Sequence, residues 1–193
     1  MAGPPSLTFT FAESLSPLDI SATEYLSAHP TISVLIVCAV VVVCSPEPRV
    51  LLIQRAPADG FPLQWECPGG GVDADVDPTV LQAVARELFE ESGLVMTHAE
   101  ALLDDTMEWD CREGRARKIT CLVNVEGSAA GSGGAAAGGE LPRVVLSPDE
   151  HCDHVWASKQ DISEGRCDGR ELKFAYGEQK QIILEALGRL GAA

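Results

Sequence analysis

The run ISVLIVCAVVVVC, residues 32–44, restricts the possible folds more than any other part of the chain. β-Branched residues dominate it, and past Ser33 no polar side chain marks a wet face, so it predicts a strand buried on both sides. At 13 residues it falls short of the roughly 20 needed to cross a bilayer as a helix. A strand hidden on both sides needs cover above and below, which implies a layered domain. The chain has 193 residues, of which 46% are hydrophobic and 22% charged, a balance that supports a packed core rather than disorder.

A turn through SPEPR leads from this strand to a second, VLLIQRA, with Pro46 and Pro48 marking the loop. WECPGGGVDADVDP follows and is rich in turn formers. The strongest helix signal is TVLQAVARELFEES, with Asp77 expected as N-cap, Pro78 in the first helical position and Gly93 as a left-handed terminator. Further strands are predicted near 99–109, 116–126, 143–146 and 155–157, and a last helix near 177–190. Residues 1–31 read as a Pro/Ser-rich arm, anchored on the body by Phe9, Phe11, Leu15, Tyr25 and Leu26. Residues 32–193 read as a single domain. The Gly/Ala-rich stretch 127–140 is expected to be a flexible surface insertion. Strands on either side of a central helix, with a second helix at the end, predict an α+β protein, an α/β/α sandwich with a mixed β-sheet.

The 29 acidic residues outnumber the 14 basic ones, for a formal net charge of −15. That excess argues against a nucleic acid polymer, which is held by exchanging its counterions for Lys and Arg, and against an anionic membrane surface. A polyanionic substrate would have to arrive with metal cations. The seven cysteines are odd in number and scattered, with no C-x-x-C pair, which fits free thiols and a reducing, cytoplasmic setting.

Within this acidic chain, ARELFEESGL places Glu87, Glu90 and Glu91 within one helical turn, where like charges three and four apart repel. On a helical wheel their mean direction lies roughly 80° from the apolar stripe of Val80, Leu81, Val84 and Leu88, so they flank the buried face instead of opposing it. Clustered carboxylates of this kind are the hard oxygen ligands that Mg²⁺ or Mn²⁺ prefers, though an exposed acidic face has the same composition. The Gly-rich PGGG, residues 68–71, lets backbone approach a ligand closely and offers a carbonyl as a further ligand.

PGG…RELFEESGL resembles the Nudix box, the signature of the Nudix hydrolase family, whose pattern is G-x5-E-x7-R-E-U-x-E-E-x-G-U with U a bulky aliphatic. Arg86, Glu87, Leu88, Glu90, Glu91, Gly93 and Leu94 fill every specified position of its second half. The wider resemblance extends from about residue 32 to 190 and includes LLIQRA, WECPGG and a late EH…W segment. The first half departs from the pattern: eight residues before Arg86 stands Pro78, where the family has Glu, and the spacing from Gly70 to Arg86 is two residues longer. Asp77, one position off, is the nearest substitute, and an ion pair with Arg86 is its expected role.

The resemblance implies a Nudix-like fold and divalent-metal-dependent hydrolysis of a diphosphate linkage in a nucleoside diphosphate-X substrate, a small molecule rather than a polymer. It assigns metal binding to Glu87, Glu90, Glu91 and the carbonyl of Gly69, with Mg²⁺ or Mn²⁺ as cofactor. Glu90 or Glu91 would also assist catalysis. Glu150, in SPDEHCDH, is either a general base or a loop-surface charge, and Arg55 either a phosphate contact or a surface residue. Arg86, Asp77, Gly70 and Gly93 would hold the box together. His151, Cys152 and His154 are too closely spaced for a structural zinc site. Arg115, Arg117 and Lys118 are either phosphate contacts or turn residues, with the turn expected; Trp65 and Trp109 either stack on a base or pack, with packing expected, and Trp156 and Cys67 are expected in packing roles. Homodimers are common in the family. Two other readings stay open: a nucleotide-binding module without turnover, and an isoprenyl diphosphate isomerase, which shares the fold and uses a thiol.

Overall fold

The structure, a computed structural model, describes residues 7–44, 46–127 and 141–190. In chain order the elements are β1 (Thr10–Phe11), a 3-10 helix (Glu13–Leu18), α1 (Ala22–Ala28), β2 (Val34–Cys44), β3 (Pro48–Arg55), β4 (Trp65–Glu66), α2 (Val80–Ser92), β5 (Met96–Cys111), β6 (Gly114–Val125), β7 (His151–Ser158), α3 (Lys159–Glu164), β8 (Arg166–Cys167), β9 (Arg170–Glu171) and α4 (Gln179–Leu190). The insertion expected at 127–140 lies outside the described residues, Gly127 excepted.

The main sheet runs β1-β5-β6-β2-β3-β4, and β7 also pairs with β3. β2–β6 and β1–β5 are parallel and the other pairs antiparallel, so the sheet is mixed. β3 uses one edge along its length for β7 and divides the other between β2 at its start and β4 at its end.

β2 is buried on both faces because its neighbours cover both. Leu35, Val37, Ala39, Val41 and Val43 belong to one core, while Cys38, Val40 and Val42 belong to the other. The first core is closed by Val80, Leu81, Val84 and Leu88 of α2, the second by Ile162 of α3 and Ile183, Ala186 and Leu187 of α4. Two helical layers thus enclose the sheet, and the fold is an α/β/α sandwich. Residues 13–28 do more than lie across the body: Leu15, Leu18, Ala22 and Tyr25 are buried in the first core. Each fully buried side chain of this size contributes about 1.5–3 kcal/mol.

Two local expectations are corrected. The N-cap of α2 is Thr79, whose side chain accepts from the Gln82 N–H, not Asp77, and the helix starts at Val80 beyond Pro78. Asp77 faces Arg86 instead, where it is worth more as a counter-charge than as a cap. Residues 143–146 form no strand. The segment runs past the C-terminal end of α2, where the Val145 N–H donates to the Ser92 carbonyl at 2.8 Å. Helix-end carbonyls lack partners in their own helix, so they capture this chain before any strand can. Among the described residues no helix is long and apolar enough to cross a membrane.

Candidate active site

The Gly-rich loop is held against β2 as an extra edge. The Val37 N–H donates to the Gly70 carbonyl at 2.9 Å and the Ala39 N–H to the Pro68 carbonyl at 2.8 Å, and Ile36 bridges to Gly71. Because the carbonyls of Pro68 and Gly70 are committed to β2, chain alternation turns the Gly69 carbonyl away from that strand. A Cβ at Gly69 would stand 2.1 Å from the Val37 oxygen, and one at Gly70 would stand 2.7 Å from the Glu87 carboxylate. Only glycine lets the loop approach both strand and helix this closely.

Across from the loop, α2 presents its acidic turn. Glu91 is buried, and its Oε2 accepts from the Gly69 N–H at 2.6 Å. Burial raises its carboxyl to a pKa of about 9, the Gly69 bond opposes that rise, and the negative neighbours Glu66, Glu87 and Glu150 add to it. Burial raises Glu87 as well, and Arg86 opposes the rise. Arg86 is the hub beneath them. Its guanidinium donates twice to Asp77, from Nε and Nη2, each at 2.8 Å, and also reaches Glu87 and Glu90 at 2.9 Å and the Gly71 carbonyl at 2.8 Å. Asp77 is itself buried and accepts from the Asp73 N–H. One carboxylate therefore ties the loop to the helix through Arg86, although it sits one residue away from the pattern's Glu.

The segment that passes the end of α2 supplies the third wall. The His151 N–H donates to the Ser147 carbonyl, and the Ala56 N–H to the Glu150 carbonyl, both at 2.8 Å. These bonds carry Glu150 and His151 to Glu91, and ligand atoms of the three lie within 4.8 Å of one another. The His151 ring is buried, and neither of its nitrogens makes a hydrogen bond. Nε2 stands 3.5 Å from Glu66 and 3.8 Å from Glu91.

These residues line a cavity of about 310 Å³ together with Arg55, Asp59, Lys118 and Tyr176. Arg55 pairs with Glu66 and Asp59, each at 2.5 Å. Lys118 is buried on β6, with its ammonium 4.3 Å from the centre of the Tyr176 ring. Its expected place at a turn is corrected here: Arg115 and Arg117 pair with Glu108, while Lys118 lies deeper in the strand.

Of the residues singled out in the sequence, Gly69, Gly70, Glu87, Glu91, Glu150 and Arg55 line the cavity. Glu90 is more exposed and rests on Arg86, outside the lining. Gly93 ends α2 with φ of +69°. Trp65 and Trp156 are core residues, as is Cys67. Sequence reasoning missed Glu66, Tyr176 and the inward turn of His151, and took Lys118 as either a phosphate contact or a turn residue. Glu66 left a trace, since it is a charge between the apolar Trp65 and Cys67.

The NUDIX domain family model matches residues 34–172. The chain belongs to the NUDIX family. Solved NUDIX-type structures share the fold. The NUDIX domain of Shewanella oneidensis NrtR complexed with ADP ribose is 21% identical, with a TM-score of 0.60 over 89% of this chain and 99% of that one. The MutT protein of Methanosarcina mazei Go1 is 23% identical, with a TM-score of 0.55 over 84% and 98%. Among curated proteins, the RNA pyrophosphohydrolase of Gluconacetobacter diazotrophicus is 50% identical over 50 residues, and that of Rhizobium meliloti 37% over 59 residues. These stretches cover 23% and 31% of this chain, and only 29% and 32% of the two relatives.

The donors fit the divalent ion that the NUDIX family implies. Glu91, Glu87 and Glu150 offer hard oxygens, and the unpartnered buried imidazole of His151 adds a nitrogen that Mn²⁺ tolerates. Buried polar atoms without partners call for an explanation, and a cation between these groups would satisfy both ring and carboxylates.

Proposed function

We propose that this NUDIX protein hydrolyses a diphosphate linkage in a nucleoside diphosphate-X substrate, with Mg²⁺ or Mn²⁺ as cofactor. The observation that carries this reading is the mixed lining of one cavity. Glu87, Glu91, Glu150 and His151 share it with the cations Arg55 and Lys118, so a metal and the phosphate oxygens it carries would each meet opposite charge there. The name of the partial relatives, RNA pyrophosphohydrolase, agrees with cleavage of a diphosphate linkage and names RNA, not a small molecule, as what those proteins act on.

A bound cation supplies charge neutralisation, polarisation of a phosphorus–oxygen bond and a lower pKa for the attacking water. Glu91 and Glu87 would hold it, with His151 and the Gly69 carbonyl completing the set and Glu90 at the rim. Arg86 fixes the acidic turn so that its repulsion is not relieved by unwinding. Arg55 and Lys118 bind phosphate oxygens. Glu150, the most solvent-accessible of the acids in the cavity, accepts the proton of the attacking water as its oxygen bonds to phosphorus and the anhydride bond breaks.

A panel of nucleoside diphosphate-X compounds with Mg²⁺ or Mn²⁺, read by product mass, tests the reading. A nucleoside monophosphate and a second phosphate product are expected. Combining Glu90→Gln with Glu91→Gln should lower turnover by roughly 100-fold or more while ligand still binds. Full turnover in that double variant overturns the site assignment. Binding without product by the unaltered protein would instead indicate a nucleotide-binding module.

A further inference from the structure

We propose that Cys38 and Cys67 are a peroxide-sensitive thiol pair beside the cavity, and that the disulfide they form weakens the ion site. The oxidation is independent of the diphosphate-cleaving reading, whereas its effect on the ion rests on the metal ligands assigned there.

The two bonds that hold the Gly-rich loop to β2, from Val37 to Gly70 and from Ala39 to Pro68, bring Cys38 and Cys67 together. Val37 and Ala39 face the first core, so alternation turns Cys38 to the second, where Cys67 also lies. There the two thiols are in hydrogen-bond contact, and the Cys38 sulfur stands 3.9 Å from the Cys67 carbonyl oxygen. Both cysteines are buried and free. Two polar groups gather around them. Lys118, which lines the cavity, places its positive charge near both sulfurs. The amide of Gln179 on α4 lies beside Cys38 and is buried, and neither its nitrogen nor its oxygen has a hydrogen-bond partner. An orphaned buried amide calls for an explanation. An oxygen added to the Cys38 sulfur would provide one, by accepting from the Gln179 nitrogen.

The oxidant is hydrogen peroxide, small enough to pass from the cavity along Lys118 to sulfurs that are each 1% exposed. The Cys38 sulfur takes one peroxide oxygen, the O–O bond breaks, and hydroxide leaves as water with the thiol's proton. The Cys67 sulfur then displaces the remaining oxygen as a second water, and the S–S bond forms. Two thiols lose two electrons and two protons, and one peroxide becomes two waters. Lys118 offers positive charge to the attacking sulfur and to the departing hydroxide. The loop has no slack to absorb the new bond. Gly69 lies two residues beyond Cys67, its N–H donates to Glu91, and a Cβ there would stand 2.8 Å from the Cys38 Cα. Drawing the sulfurs together to about 2 Å displaces this backbone relative to Glu91.

The test treats the full chain with hydrogen peroxide, removes the excess, and maps alkylated peptides by mass. Calorimetric titration with Mn²⁺ is run before and after. The Cys38 and Cys67 peptides should be joined, lighter by two hydrogens and separable by dithiothreitol. Mn²⁺ affinity should fall about tenfold, within the usual range for coupling between two sites, and recover on reduction. Cys67→Ala should leave the oxygen on Cys38, where dimedone traps it, and should keep its Mn²⁺ affinity after peroxide. Circular dichroism checks that this variant folds, and peptide mapping of the unaltered protein decides the pairing in either case. Oxidation of the exposed Cys152 with Cys38 and Cys67 still free overturns the proposal, as does a joined pair that leaves Mn²⁺ affinity intact. Reduced protein that binds no Mn²⁺ would sink the metal assignment instead, while the joined peptides would still establish the thiol pair.

Discussion

Asp77 is buried opposite Arg86, and the exposures of the two side chains are 2% and 13%. Removing one half of such a pair strands the other charge, at about 3–5 kcal/mol. Glu87 and Glu90 still face Arg86, so Asp77→Ala should cost about 3 kcal/mol, at the low end of that range, read as a lower urea midpoint. Unchanged stability would mean that the loop–helix tie is redundant. Glu91 makes the opposite case. Its folded-state pKa of about 9 lies above its ordinary 4.5, so this one group's contribution to stability is most favourable below pH 4.5 and is lost as pH rises toward 9. In metal-free protein, Glu91→Gln should therefore raise the melting temperature at pH 8 and lose that advantage near pH 4. Excess Mg²⁺ should stabilise the unaltered protein and not the variant. Much of this was legible: Glu87, Glu91, Asp77 and Arg86 announce themselves by spacing. Tyr176 and His151 did not, because nothing in their neighbourhood tells which way the chain turns them.

At the scale of elements, α2 and the segment after it act as one device. Gly93 turns the chain with φ of +69°, and a Cβ there would meet the Val145 side chain at 3.1 Å. Gly93→Ala should cost about 1–2 kcal/mol for the left-handed backbone, and should also displace the segment that delivers Glu150 and His151. Metal affinity measured by calorimetry ought to fall along with the melting temperature; a fall in stability alone would show that the segment tolerates the shift. β2, β3, α2 and α4 were readable from apolar periodicity. Residues 143–146 misled because RVVL has a strand's composition, and what decides its state is a row of helix-end carbonyls far from it in sequence. The N-cap of α2 misled by two residues for a related reason: Thr79 can cap just as well, which frees Asp77 for Arg86.

For the molecule as a whole, the N-terminal residues matter more than their composition implied. Leu15, Leu18 and Tyr25 are buried in the core, and the Tyr25 hydroxyl accepts from Arg117 of β6. A chain beginning at Ile32 would forgo burial of order 5 kcal/mol, comparable with the total stability of many domains. Such a truncation is expected to lose its cooperative thermal transition in circular dichroism, and a sharp transition near the original temperature would show that these residues are dispensable. The Pro and Ser content masked this, since burial here falls on a few apolar side chains spaced among turn formers. The cavity is likewise a property of the whole, with walls supplied by residues from Ile36 to Tyr176. A polypeptide still emerging from the ribosome, with Tyr176 not yet released, has the acidic turn but no finished chamber around it. Any ion that the finished chamber would enclose is therefore left to open solvent on such a nascent chain until Tyr176 folds into place.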